Sequence, residues 1–378
     1  MTSSAALVLC SKSRWEPAIR REHAFALAAA RHGHPVLFVE RSLDVRALRG
    51  RATAAAWWRG LHGRPVAVAG APGVEVVPHS SLVPGHRHGA AEWIENVALG
   101  RQLRRLTRGR EAAVVGNVPW QWPAIAAVGA ERRVFDCVDD WSELVPHARE
   151  RVAALYDRIG READAVVVAN PALAGRFPAD RTVVVRNGVA DELLGPVTPA
   201  PGARRMVYTG TLTPRFDAEL TRGVLEALPD WTLDLYGQCQ YPACGDAPGP
   251  ELSALLDALG PRVRWHGVVP RRELAAAIDR ADVALLPNRP ALSLGQDSMK
   301  LYDYAARGRP IVATPFDPGL PVGEGPRVRL AGTADATAAA VVEAAGESAE
   351  RRRERRAWAE RQRWDERWAA WSAAVFGG

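Results

Sequence analysis

The sequence predicts an α/β protein made of two consecutive units, each a parallel sheet with helices on both faces. Short β-branched apolar runs alternate with helical stretches along most of the 378 residues, as expected for strands buried on two sides. The alternation stops once, where Gly195, Pro196, Pro199, Pro201 and Gly202 mark a linker, and then begins again. The chain is long enough for each unit to bury its own core. The expected division is a first domain over 1–190, a linker over 191–204, a second domain over 205–349 and a C-terminal helix over 350–378.

In chain order, residues 5–10 read as the first strand, 11–15 as a polar loop, the Ala-rich segment to about His32 as a helix and 36–40 as the second strand. Residues 43–64 are rich in Arg, Ala and Trp and suit a basic amphipathic helix. Trp57 and Trp58 then either fill the core, which is the preferred expectation, or face a membrane interface or acceptor. Strands follow at 74–78, 112–116, 133–138, 165–169 and 182–186, with a helix at 89–108. In the second unit, strands fall at 206–209, 232–236, 263–266, 283–286 and 311–313, with a loop at 210–217 and a helix at 219–228. Two such units imply a cleft, and ligands of open parallel sheets bind beyond the carboxyl ends of strands. In the tail, Trp364, Trp368 and Trp371 stand at i, i+4 and i+7, so one helix face must bury against something.

The apolar fraction of 47% and charged fraction of 24% belong to a globular protein in water. The N-terminus has no export-signal pattern, so a cytoplasmic location is expected. The longest uncharged run, 112–130, contains Asn117, Pro119, Gln121 and Pro123, which argue against a membrane span. Cys10, Cys137, Cys239 and Cys244 have no framework spacing and fit a reducing compartment. Residues 1–190 carry 26 basic against 18 acidic side chains, which points that half toward an acidic surface such as anionic lipid. No nucleic-acid-binding motif appears, and no nucleic-acid partner is expected.

Of the 49 basic residues only Lys12 and Lys300 are lysines, so a lysine in this chain invites a chemical reason. Asp297 reads as a helix N-cap, which puts Lys300 in the first turn, where a cation opposes the helix dipole by ~0.3 to 1 kcal/mol. An anion bound there would remove the conflict, because helix N–H groups and an ammonium together suit a phosphate. The alternative is a solvated i,i+3 pair with Asp303. Asp136, Asp139 and Asp140 lie at the end of a predicted strand, where a carboxylate can act as general base or cap the next helix. No Asp-x-Asp triplet and no metal-ligand spacing occurs, so neither metal nor cofactor is expected, and helix termini, Arg and Lys300 would neutralise a diphosphate. Gly210 at a strand end permits close backbone approach to a ligand, with Arg215 following.

The segments YTGTLTPRFD, WTLDLYG, VRWHGVV, ADVALLP and SMKLYDYAARGRPIVAT resemble glycosyltransferases of the B fold, as do VFDCVDDW, ADAVVVANPAL and VVVRNGV in the first half. The pattern is similar to the teichuronic-acid type, and Ser298-Met299-Lys300-Leu301 to the donor segment of the xanthan-assembly glucuronosyltransferase. The resemblance implies two Rossmann-like domains facing a cleft, with a terminal helix crossing back to the first. The second domain would bind a nucleoside diphosphate sugar, a UDP-sugar foremost, and the first a saccharide, lipid-linked or small-molecule acceptor. It implies that Lys300 meets the phosphates, Asp303 the ribose, and Gly210 and Thr211 the diphosphate, with Arg215, Gly237, His266, Ser298 and Met299 completing the donor set. Asp139 stands where retaining relatives carry a cleft histidine, and it is the expected base, with Asp140 second. The two glutamates that such relatives space by seven residues are here Gly295 and Asp303, a departure that favours inversion. The alternatives are a B-fold nucleotide-sugar epimerase and a non-catalytic sugar-nucleotide-binding partner protein.

Overall fold

The computed structural model describes residues 5–15, 20–82, 89–242, 244–293, 295–315 and 325–377. It forms two units, Met1–Arg186 with Arg367–Gly378, and Asn187–Glu366. Residues 187–204, expected to end the first domain and form a linker, belong to the second unit, where Val189 and Leu193 enter the core. Proline and glycine limit this segment to one short 3-10 turn, Asp191–Leu193, without removing its apolar side chains from packing.

The first unit holds β1 Ala6–Cys10, β2 Val36–Val39, β3 Val66–Ala67, β4 Val74–Val77, β5 Ala112–Gly116, β6 Arg132–Cys137, β7 Ala165–Val168 and β8 Thr182–Val184. Their order is β3-β4-β2-β1-β5-β6-β7-β8, and only the short edge strand β3 is antiparallel. Every residue of β1, β2, β5 and β7 is buried, which is why these strands read as unbroken apolar runs. The second unit holds β9 Arg205–Thr209, β10 Thr232–Tyr236, β11 Val263–Trp265, β12 Val283–Leu286, β13 Ile311–Ala313 and β14 Arg329–Leu330, all parallel, in the order β11-β10-β9-β12-β13-β14. Both sheets start at a central strand, grow to one side and then to the other. The reversals fall between β1 and β5 and between β9 and β12, where crossovers on opposite faces leave a crevice at the carboxyl ends.

The tail is two helices, Ala349–Glu360 and Trp364–Ser372, and not the one continuous helix its charge pattern implied. The backbone between them serves Val189, whose N–H donates to Gln362 O at 2.7 Å. The first helix belongs to the second unit and is pinned by the fully buried Arg355, which donates to Glu347 Oε1 and Oε2 at 2.9 and 2.7 Å and to Pro326 O at 2.6 Å. The second continues into the first unit. There Trp371 stacks on Phe25 at 4.5 Å, Trp368 on His32 at 4.7 Å and Phe376 on His34 at 4.0 Å. Trp371 also donates to Asp136 Oδ2 at 3.2 Å, and Arg21 Nε reaches both oxygens of the same carboxylate at 3.1 Å.

Burial also sets an acid limit on the first unit. His79 is fully enclosed, and burial pushes its imidazole down to about 4 from the ordinary 6.5. Below 6.5 the unfolded chain takes up a proton that the folded unit refuses, so this stability is complete at neutral pH and is lost as pH falls toward 4. At pH 5 the loss amounts to ~2 kcal/mol. Guanidinium melts at pH 7.5 and pH 5 should differ by about that amount more in the wild type than in His79→Gln.

Candidate functional site

At the carboxyl end of the second sheet, three of the expected residues meet in one stack. Gly237 has φ +137° and Gly210 φ +118°, backbone that only glycine adopts freely. A Cβ on Gly237 would stand 2.1 Å from Gly210 O, and a Cβ on Gly210 would stand 2.6 Å from Lys300 Cε. The two strand ends and the lysine stem are thus layered with no room for a side chain between them. Lys300 Nζ lies 5.1 Å from the centroid of the Tyr208 ring, and the Arg215 guanidinium acts on the Tyr208 phenol, which burial raises above its ordinary range. Tyr208 donates to Thr211 O at 3.3 Å, so Gly210, Thr211, Arg215 and Lys300 are gathered around it.

The helix that carries Lys300 spans Met299–Ala306, and its N-cap is Ser298, one residue later than the expected cap at Asp297. Asp297 is occupied elsewhere: it accepts from Tyr302 Oη at 2.9 and 3.0 Å and from the backbone N–H of Asn187. Ser298 makes no side-chain cap on this first turn, which holds Met299 and Lys300. Farther along the helix, Tyr304 Oη accepts from Thr209 N at 2.8 Å and ties it to the end of β9.

Asp303 is buried, and its Oδ1 accepts no hydrogen bond from any described residue. Burial raises its carboxyl above the usual carboxylate range, against the pull of Arg271 and Lys300. Arg271 stands 3.8 Å away, near enough to attract and too far to donate. An oxygen left this way in a folded protein invites a ligand donor. His266 departs from expectation: Nε2 turns back to Asp234 Oδ1 at 2.8 Å and the ring stacks on Tyr236 at 4.5 Å. It supports the sheet edge, and the neighbouring Trp265 holds Gly237 O at 2.8 Å.

In the first unit, the three carboxylates after β6 have separate partners. Asp136 belongs to the tail anchor already described. Asp140 is a helix cap: it accepts from Ser142 N at 3.1 Å and from Arg176 at 2.8 Å, so its expected role as second base gives way to capping. Asp139 accepts from Lys12 Nζ at 2.8 Å, beside the reversal between β1 and β5. Lys12 also lies 5.9 Å from the Trp141 ring centroid and pulls the buried Glu22 carboxyl down against the upward push of its burial. Lys12, Tyr208 and Arg271 were missed from the sequence. Lys12 alone had a signal there, as the only lysine besides Lys300.

Residues 203–347 match the family model of glycosyl transferases, group 1. The matched stretch lies within the second unit, Asn187–Glu366. The whole chain resembles solved two-domain structures at low identity. These include sucrose-phosphate synthase from Thermosynechococcus elongatus, at 16% identity, TM-score 0.69, and 99% and 97% coverage of this chain and that one. The Anabaena protein HepE in complex with UDP and glucose gives 14%, 0.69, 99% and 100%. WaaG, a glycosyltransferase involved in lipopolysaccharide biosynthesis, gives 14%, 0.66, 98% and 100%. No curated protein matches the sequence. The fold is therefore the B fold of glycosyltransferases, two Rossmann-like domains with parallel sheets. Among the described residues of this glycosyltransferase fold, no group of three or more His, Cys, Asp or Glu side chains is placed to hold a metal, and no helix is long and apolar enough to cross a membrane.

Proposed function

We propose that the chain transfers a sugar from a nucleoside diphosphate sugar, a UDP-sugar foremost, to the hydroxyl of a saccharide or lipid-linked saccharide, without a metal and with inversion. The layering of Gly237, Gly210 and Lys300 carries this reading: it offers close backbone, an ammonium and a helix N-terminus at one strand end. The HepE complex with UDP and glucose supports the choice of nucleotide. Lys300 and Arg215 neutralise the diphosphate, and Asp303 Oδ1 accepts from a ribose hydroxyl. Asp139 takes the proton from the acceptor hydroxyl, whose oxygen attacks the anomeric carbon as the nucleoside diphosphate departs with the electron pair of the broken bond. Thymidine and guanosine donors and a small natural-product acceptor are the nearest variants. A location in the cytoplasm, at times against a membrane surface, fits this chemistry.

The partner-protein alternative draws support from one observation: Asp139 is engaged by Lys12 and Asp140 by a helix end and Arg176. Calorimetric titration of the wild type and Lys300→Ala with uridine, thymidine, guanosine and adenosine diphosphates, without metal, tests the donor site. One diphosphate should bind and the variant should lose it; no binding by any of them refutes the donor-site reading.

A further inference from the structure

The two adjacent tryptophans expected to share one fate are divided. Trp57 is 4% exposed and donates to Ser81 O at 3.0 Å, whereas Trp58 is 57% exposed. The segment splits into a 3-10 turn, Val45–Arg49, and a helix, Arg51–His62, fixed to each other by Thr53, whose hydroxyl donates to Gly50 O at 3.0 Å and to Ala47 O. Ala56, Trp57 and Gly60 face inward. On the opposite face Arg51, Ala55, Trp58 and His62 recur at i, i+4, i+7 and i+11, flanked by Arg59 and Leu61, all exposed. Leu48, Val66 and Leu82 are also exposed next to these elements.

Charge says what this face meets. Residues 45–74 hold five arginines and no acidic residue. Arg46 pairs with Asp44; Arg49, Arg51, Arg59 and Arg64 are exposed and make no ion pair with any described residue. A soluble surface normally mixes both signs, and an arginine face free of acids with a tryptophan at its centre has the composition of an interfacial helix.

We infer that the face made by Val45–Arg49 and Arg51–His62 docks the first unit on an anionic lipid bilayer. Trp58, Leu48 and Leu61 enter the headgroup boundary and the four unpaired arginines lie among the phosphates. The inference extends the acceptor side of the proposed transferase, since a lipid-linked acceptor is held at such a surface, and it is independent of the donor site.

Co-sedimentation with phosphatidylcholine vesicles containing phosphatidylglycerol tests it on the full chain. The wild type should pellet with these vesicles, stay in solution with pure phosphatidylcholine, and release as salt is raised. Each arginine near such a surface contributes roughly fivefold, so Arg51→Ala/Arg59→Ala should weaken binding by more than ~10-fold. Trp58→Ser should also release the protein, while Arg351→Ala/Arg353→Ala, with the same charge removed from exposed positions of the second unit, should bind as the wild type does. All four proteins should bind nucleoside diphosphate alike, which separates this test from that of the donor site. A wild type that stays in the supernatant overturns the inference. So does an equal loss in Arg351→Ala/Arg353→Ala, or binding only to a soluble polyanion such as heparin.

Discussion

Lys300→Ala is expected to weaken nucleoside diphosphate binding on the order of 100-fold, because an ammonium donating to phosphate in a partly desolvated site contributes ~1.5–3 kcal/mol. The same change should leave thermal stability nearly untouched. The cation conflicts with the first turn of its own helix by ~0.3 to 1 kcal/mol, and its placement over the Tyr208 ring returns about as much. A residue whose loss ends binding and spares the fold is kept for its ligand. Lys300→Arg should not rescue, since the stem passes where a Gly210 Cβ would stand and leaves no width for a guanidinium fork. Gly210→Ala should mimic Lys300→Ala from the other side, by straining φ +118° and displacing the lysine stem. Calorimetry of the three variants with the diphosphate the wild type prefers, beside their melting curves, decides the matter. A Lys300→Ala protein that binds as before would return the lysine to the role of a surface charge.

How much of this was legible in the sequence depended on how local its cause was. Parallel strands announce themselves because burial on both faces demands unbroken apolar runs, and Ala6–Cys10 or Ala165–Val168 admit little else. Lys300 was legible because an arginine-rich chain makes a lysine conspicuous; Lys12 carried the same signal, but its partner Asp139 lies 127 residues away. Asp297 and Ser298 are both capping residue types, and what chose between them was Asn187, 110 residues away, which claims Asp297. Arg271 was hidden among other arginines, and its relation to Asp303 exists only once two helices pack. Trp57 and Trp58 differ by one residue, or about 100° around a helix, and no local pattern says which of them meets the sheet.

The largest loss of turnover is expected from Asp139→Asn. A positioned general base contributes typically 10²–10⁴-fold, and the amide keeps an oxygen for Lys12 to hold, so the site should keep its shape while losing the group that accepts a proton. Nucleotide affinity, carried by the other unit, should not change. Asp140→Ala supplies the contrast: Asp140 caps Trp141–Leu144 and meets Arg176, so its replacement should cost about 1 kcal/mol of stability and little turnover. Lys12→Met separates positioning from chemistry. Asp139 stays ready to accept a proton but loses the ammonium that meets it at 2.8 Å, so turnover should fall by less than in Asp139→Asn, with the Michaelis constant for acceptor moving more than that for donor. Steady-state rates with the sugar of the nucleotide chosen by calorimetry give all three comparisons. If Asp139→Asn turns over like the wild type and only melts earlier, the Lys12–Asp139 pair is a structural bond between the β1 and β6 ends, and the proton must go elsewhere.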